Sequence, residues 1–241
     1  MVITGTQGCI TIDCKDCKYK SEPVKRLSNE QLLKVDANRS ELVFKKGELM
    51  SKQGMLMSHI FYLRTGFAKL YLESDNEMTI VGIARPGTFI GIQALYGEQV
   101  FPFSAEAMTN VEVCLKDINT FRELVLENSA FAKGVIEILN ADLVQSYNRM
   151  FSLSTKQIDG RFSELLLFLS NVFYKSNPFN LTISRREIAD LISTTPESVS
   201  RLIGKFKSRG IITGTGQTIE IVDVSSLEAM CRCKLLDTSK I

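Results

Sequence analysis

The chain has 241 residues, of which 44% are hydrophobic and 23% charged, and its formal net charge is +2. These proportions are typical of a folded globular protein and exclude a wholly disordered chain. No apolar run approaches the ~20 residues of a membrane-spanning helix, and the N-terminus lacks the basic and long apolar segments of a secretory signal. We therefore expect a cytoplasmic protein without a membrane partner.

The distribution of charge is more informative than the total. Residues 178–214 hold six basic and three acidic residues, whereas residues 1–177 hold 20 of each. A local excess of positive charge is weak evidence for binding to nucleic acid, because an ordinary solvent-exposed surface gives the same pattern. The charge pattern therefore directs attention to the last third of the chain.

An irregular arm and a β-rich domain are predicted for the first half of the chain. Residues 1–24 carry Cys9, Cys14 and Cys17 among small and charged residues and show little apolar periodicity. Residues 25–120 are predicted to form a sensor domain, because short apolar runs alternate with glycines that form tight turns at low cost. Such a pattern is typical of a barrel, roll or sandwich. The predicted strands include Glu41–Lys46, Ile60–Arg64, Phe67–Leu72, Met78–Ile83 and Val111–Lys116.

A long helix is predicted next, in a dimerisation region at residues 121–157. Apolar residues there follow the alternating 4-3 spacing of a helical seam, with the small polar Ser146 near its middle. One interpretation is a helix buried within a single domain. The other is a helix that packs against a second copy of the chain and joins two domains. This second interpretation assigns the seam to Ile136, Leu139, Leu143, Ser146, Met150 and Leu153.

The last segment, residues 158–241, has the pattern of a winged helix-turn-helix DNA-binding domain. An apolar stripe along Asp159–Tyr174 predicts its first helix. A capping-box pattern at Ser184–Glu187 opens a second helix, and an N-cap followed by proline at Thr195–Pro196 opens a third. Residues 211–222 then read as a β-hairpin, which would be the wing.

Side chains on the exposed face of the third helix suit the edges of DNA bases. Arg201 can donate twice to guanine, Glu197 can accept from cytosine, and Ser200 can contact a thymine methyl group. The alternative is an exposed salt bridge between Glu197 and Arg201, which are one helical turn apart. The caps, the buried face and the wing together favour base reading. The residues predicted to contact the DNA backbone are Arg185, Arg186, Thr195, Ser198 and Lys205.

The order of these segments resembles the Crp/Fnr family of transcription regulators, and the resemblance covers nearly the whole chain. The segment Leu181–Arg201 is similar to the family's helix-turn-helix, and Glu197, Ser200 and Arg201 fall on the E-x-x-S-R positions by which the Fnr branch reads DNA. The resemblance implies an α+β fold with a cyclic-nucleotide-binding-like β-roll, a long dimerisation helix and a C-terminal winged helix-turn-helix. It also implies a homodimer, a palindromic double-stranded DNA site with TTGA-like half-sites, and contact with RNA polymerase.

The predicted sensor domain departs from the cyclic-nucleotide branch of that family. The branch has a pocket motif of F-G-E-L followed by R-S/T-A. Here Phe89 and Gly91 match the first part without its glutamate, and Phe103 stands where an arginine would precede Ser104. A buried phosphate without its arginine is poorly compensated, so we expect no cAMP binding.

The cysteines do not by themselves identify the effector of the predicted sensor domain. The resemblance implies that Cys9, Cys14, Cys17 and Cys114 hold a 4Fe-4S cluster, as in the oxygen-sensing Fnr proteins, and four thiolates are chemically sufficient. The C-x4-C-x2-C spacing departs from that sensor, and so does Ser146, which replaces an acidic residue of its dimer helix. Zinc, redox-active thiols and cysteines without any ligand are the alternatives.

A cysteine-based redox or metal protein, whose winged helix binds another protein, is the main alternative to a DNA-binding regulator. An enzyme is not expected, because the chain has a single histidine, His59, and shows no paired carboxylate site, Ser/His/Asp set or phosphate-binding glycine loop. Cys231 and Cys233 form either a second metal site or a chance pair. The basic excess in residues 178–214 favours DNA over a protein partner.

Overall fold

Two compact units make up the part of the chain that the computed structural model describes, residues 13–75 and 77–231. The first unit holds the chain up to Met78 together with Ile83–Leu139, and the second holds Thr79–Gly82 and the chain from Asn140 onward. The division falls inside one long helix, which contributes to both units. No helix among the described residues is long and apolar enough to cross a membrane.

The first unit is built on a β-roll of two four-stranded sheets. Its strands are β1 (Arg39–Phe44), β2 (Leu49–Ser51), β3 (His59–Thr65), β4 (Ala68–Ser74), β5 (Glu77–Ala84), β6 (Phe89–Ile90), β7 (Ser104–Ala107) and β8 (Val111–Asp117), and the middle of β5, Thr79–Gly82, is grouped with the second unit. One sheet has the order β1-β8-β3-β6 and the other the order β2-β7-β4-β5. The five strands predicted from the sequence are confirmed, with ends shifted by at most two residues.

Tight turns and aromatic packing hold the roll together. Gly66 links β3 to β4 with φ +81°, and a Cβ at this position would lie 2.2 Å from the carbonyl oxygen of Asn110. The ring of Phe121 packs edge-on against Phe89 on one side and Phe131 on the other, with centroids 5.8 and 5.2 Å apart. All three rings are buried, so the helices that carry Phe121 and Phe131 complete the core.

Four helices belong wholly or partly to this unit: α1 (Glu22–Lys25), α2 (Asn29–Ala37), α3 (Ile118–Glu127) and α4 (Ser129–Thr155). The predicted dimerisation region is therefore two helices rather than one. The chain leaves the helical path at Asn128, whose side-chain oxygen accepts a hydrogen bond from the Phe131 amide at 2.9 Å and caps α4. The long seam lies on α4 alone.

The second unit is a winged helix-turn-helix at the end of α4. Its elements are α5 (Ile158–Phe168), β9 (Phe179–Asn180), α6 (Arg185–Leu191), α7 (Pro196–Ser208), β10 (Ile212–Thr213), β11 (Thr218–Ile221) and α8 (Val224–Met230). The strands form a sheet in the order β10-β11-β9. The first helix predicted here is shorter than expected, because a π-helical stretch, Leu169–Phe173, replaces its last turns. The α+β fold class is confirmed.

Candidate nucleic-acid interface and thiol cavity

Side-chain caps fix where α6 and α7 begin. The Ser184 amide donates to Glu187 Oε2 at 2.8 Å, and the Glu187 amide donates back to Ser184 Oγ at 3.1 Å. The Thr195 hydroxyl accepts from the Ser198 amide at 3.3 Å, and Pro196 occupies the first position of α7. Both caps predicted from the sequence are confirmed. They determine the register of the two helices and hence the face that each presents.

The buried face of α7 determines which of its side chains are exposed to solvent. Val199 and Phe206 are fully buried, and the Phe206 ring meets Phe162 of α5 edge-on with centroids 5.1 Å apart. Leu202 and Ile203 complete this apolar face. Because one face of the helix is committed to packing, the residues opposite it must face solvent.

The exposed face of α7 carries the three side chains predicted to read bases. Glu197, Ser200 and Arg201 are all exposed. Hydrogen bonds from its own backbone amide and from the Thr195 hydroxyl hold the pKa of Glu197 below its usual value. Arg201 Nη2 donates to Ser198 Oγ at 3.0 Å, and no ion pair joins Arg201 to Glu197 in the described part of the chain. The two groups therefore remain available as separate donor and acceptor.

The cations around this face differ in their availability. Arg186 is exposed, whereas Arg185 is half-buried and its Nη1 has no hydrogen-bond partner among the described residues. Lys205 Nζ lies 2.5 Å from Asp159 Oδ2 of α5. Lys207 Nζ donates to the carbonyl oxygen of Gly214 in the wing, also at 2.5 Å. The Lys205 bond joins residues 46 apart in sequence, so no local spacing indicates it, whereas the Lys207 bond spans only seven residues.

The predicted dimer seam of α4 is largely exposed within one chain. Ile136, Leu143 and Met150 are 56%, 48% and 62% exposed, which is unusual for large apolar side chains in a stable monomer. Ser146 is also exposed, and its hydroxyl donates to the Asp142 carbonyl at 2.9 Å. Leu139 and Leu153 are half-buried. Sequence periodicity missed two further exposed aromatic residues of α4, Tyr147 and Phe151.

The residues at the position of the family's nucleotide pocket contact neighbouring residues of the roll. Gly91 has φ +94°, and a Cβ there would lie 2.5 Å from Met57 Sδ and 3.2 Å from Phe101 Cε1. Phe89 is buried and Phe103 packs partly against the core. The Ser104 hydroxyl is also committed, because it accepts from the Gln53 amide at 3.0 Å and donates to Glu73 Oε2 at 3.1 Å.

Three cysteines line one small cavity in the first unit, which we call the thiol cavity. It is bounded by Cys14, Cys17, Cys114, Tyr62 and Lys116, among others, and has a volume of about 20 Å³. That is enough for about one water molecule. Cys114 reaches it because the strand pairing places it between Glu41 of β1 and Tyr62 of β3. The structure thus brings together three of the four predicted metal ligands, and Cys9 lies outside the described residues.

Buried charges surround these thiols. The Lys116 ammonium lies 3.5 Å from Cys14 Sγ, and Arg64 Nη1 lies 2.9 Å from Glu41 Oε1. Burial raises the pKa of the Cys14 thiol despite the opposing effect of Lys116. Burial, with Cys17 and Cys114 nearby, raises the pKa of Tyr62 to about 12. In this arrangement Cys14 and Tyr62 hold their protons at neutral pH.

The described residues contain no group of three histidine, cysteine, aspartate or glutamate side chains arranged to hold a metal ion. The thiols share a cavity, but they do not form a closed ligand set. Cys231 lies at the end of α8, where burial raises its pKa to about 11, and Cys233 lies beyond the described range.

Comparison with known proteins agrees with this architecture. A family model described as a cyclic nucleotide-binding domain matches residues 41–128, and one described as a Crp-like helix-turn-helix domain matches residues 160–230. The chain is 27% identical to the transcriptional activator protein FnrA of Stutzerimonas stutzeri, over 90% of this chain and 91% of that protein. It is 28% identical to the transcriptional activator protein Anr of Pseudomonas protegens, with the same coverage of each chain.

Solved structures share the fold. FixK2 from Bradyrhizobium japonicum superimposes with a TM-score of 0.72 at 21% identity, covering 81% of this chain and 98% of its own. A crp/fnr-family regulator from Eubacterium rectale gives a TM-score of 0.75 at 16% identity, covering 87% and 97%. The sensor-type roll, long helix and winged helix-turn-helix define a transcription regulator rather than an enzyme. The chain belongs to the Crp/Fnr family of these regulators.

Proposed function

We propose that this regulator reads a specific DNA sequence through Glu197, Ser200 and Arg201 of α7. The observation that carries the proposal is the exposure of all three groups on a helix whose start is capped and whose opposite face is buried. Guanidinium, carboxylate and hydroxyl groups offer donors and acceptors that match base edges in the major groove. Arg186 is the most available cation for a phosphate contact, with Arg185, Thr195 and Ser198 beside it.

We further propose that the chain acts as a homodimer through α4. The exposed apolar side chains of this helix, with Tyr147 and Phe151 beside the predicted seam, supply a surface that a second copy would cover. A two-fold dimer presents two α7 helices to successive major grooves, so its site would be palindromic, with half-sites about 34 Å apart. By family resemblance we propose TTGA-like half-sites, activation by contact with RNA polymerase, and a cytoplasmic location.

A binding assay on duplex DNA at physiological salt tests this function. We expect a palindromic duplex with TTGA half-sites to bind at least a hundredfold more tightly than a scrambled duplex of equal length. Equal affinity for both duplexes would reject sequence reading. No binding to either would favour the alternative of a winged helix that contacts proteins.

We propose the thiol cavity as the sensor site and do not expect cAMP as the effector. Its three cysteines suit a soft metal or a redox signal, as does the likeness to FnrA and Anr. The cavity of about 20 Å³ would have to widen to take a 4Fe-4S cluster, in which each thiolate binds a different iron, and Cys9, outside the described residues, would be the fourth ligand. Analysis of iron and acid-labile sulfide in protein purified without oxygen tests for a cluster. A colourless, iron-free product would end the cluster proposal.

A further inference from the structure

Two lysines flank the exposed face of the recognition helix α7. At 3.6 residues per turn, Lys205 and Lys207 lie about 80° to either side of Glu197 around the helix axis. Each is tied to a different element: Lys205 Nζ is 2.5 Å from Asp159 Oδ2 of α5, and Lys207 Nζ is 2.5 Å from the Gly214 carbonyl oxygen of the wing. The face that carries Glu197 therefore lies between two anchored flanks.

The helix that carries Asp159, α5, is joined to the end of α4 by several polar contacts. Ser152 Oγ near the end of α4 donates to Glu164 Oε2 of α5 at 2.6 Å, and the buried Lys156 forms an ion pair with the same carboxylate. Arg161 of α5 also donates to the Leu153 carbonyl at 3.0 Å. Hydrogen bonds and ion pairs thus lead from the end of α4 through α5 to Lys205 of α7.

We propose that Asp159 is a positioning residue for DNA reading, which holds Lys205 and so fixes the rotation of α7 about its own axis. Lys205 then acts through Asp159 rather than through a DNA phosphate. The buried apolar face sets the rotation of α7 coarsely, and the anchors on its two flanks oppose the small rolls that would shift Glu197 and Arg201 relative to the bases. The proposal rests on the proposed reading of DNA by α7.

The variant Asp159→Asn separates the two roles of Lys205, because they predict opposite results. If Lys205 contacts a phosphate, losing Asp159 frees the lysine, and the ratio of specific to random DNA affinity stays the same or rises. If Asp159 positions α7, that ratio falls about two- to five-fold, the range expected for a partly exposed ion pair. Lys205→Ala should then lower the ratio by a similar factor, and the double variant by no more than either single one. Lys205→Arg should retain it.

The measurement is fluorescence anisotropy of the full chain on the palindromic and scrambled duplexes, with thermal unfolding to confirm that each variant is folded. Glu228→Gln on α8 is the matched control, since it removes one negative charge from the same unit without touching α7. An unchanged or raised ratio for Asp159→Asn, or effects that multiply in the double variant, would overturn the proposal. If Arg201→Ala also leaves the ratio unchanged, the proposed DNA reading fails instead.

Discussion

Replacing Arg201 by alanine tests the base-reading face most directly. The side chain is exposed and donates to Ser198 Oγ at 3.0 Å, an exposed bond that water replaces at little cost. A bidentate contact with guanine contributes about 1–3 kcal/mol of discrimination against a wrong base. Removing it should weaken binding to a matched half-site by about 5- to 150-fold.

The effect on random DNA should be much smaller. There, Arg201→Ala removes only one positive charge per protomer, which lowers the slope of log K against log salt by about 0.9 for each lost phosphate contact. The matched control is Arg209→Ala, which removes the same charge from the exposed C-cap of α7. We expect this control to affect specific and random duplexes equally.

The assay compares the palindromic duplex, the scrambled duplex and a set with single base changes in each half-site. The Arg201→Ala protein should become indifferent to the base pair that Arg201 reads while remaining sensitive to the others. If the variant weakens binding to specific and random DNA by the same factor, Arg201 contacts only the backbone. The proposed base reading would then be wrong.

Variants at three further positions probe the dimer, the packing of the DNA-binding unit and the capping box. Leu143→Glu places like charges in the proposed seam and should give a monomer by light scattering; a stable dimer would exclude this seam. Phe162→Ala removes a buried ring that packs on Phe206 and should cost about 3–5 kcal/mol in urea unfolding, whereas a loss below 1 kcal/mol would contradict the packing. Ser184→Ala should cost about 1 kcal/mol and Ser184→Gly only a few tenths, so equal losses would argue against the capping box.

The parts of the interface that depend on local spacing were predictable from the sequence. Caps at Ser184 and Thr195 use bonds between residues three apart, and the buried face of α7 follows from helical periodicity. The bond between Lys205 and Asp159 spans 46 residues of sequence, so no periodic pattern indicates it. For the same reason the sequence could assign Lys205 only by its charge.

Some features of the thiol cavity also follow from local patterns in the sequence, and others do not. Alternation along β8 predicts that Cys114 lies on the opposite face from Val113; in the structure Cys114 lines the thiol cavity, but it is buried in the same apolar cluster as Val113. The approach of Cys14 and the burial of Lys116 beside it depend on how the N-terminal segment lies across the sheet. That path has no repeating pattern, so the sequence could single out the cysteines but could not predict their surroundings.

The nucleotide position shows that two independent changes separate this roll from a cAMP site. The sequence indicates a missing charge, since Phe103 stands where the phosphate-binding arginine would be. It also lacks a second group of the pocket motif, since no glutamate follows Gly91. Phe103→Arg alone restores the arginine but not the glutamate, so we expect neither the natural chain nor this variant to bind cAMP in calorimetric titration. Micromolar affinity of the natural chain would refute both arguments, whereas affinity gained only by Phe103→Arg would show that the missing charge alone excludes the nucleotide.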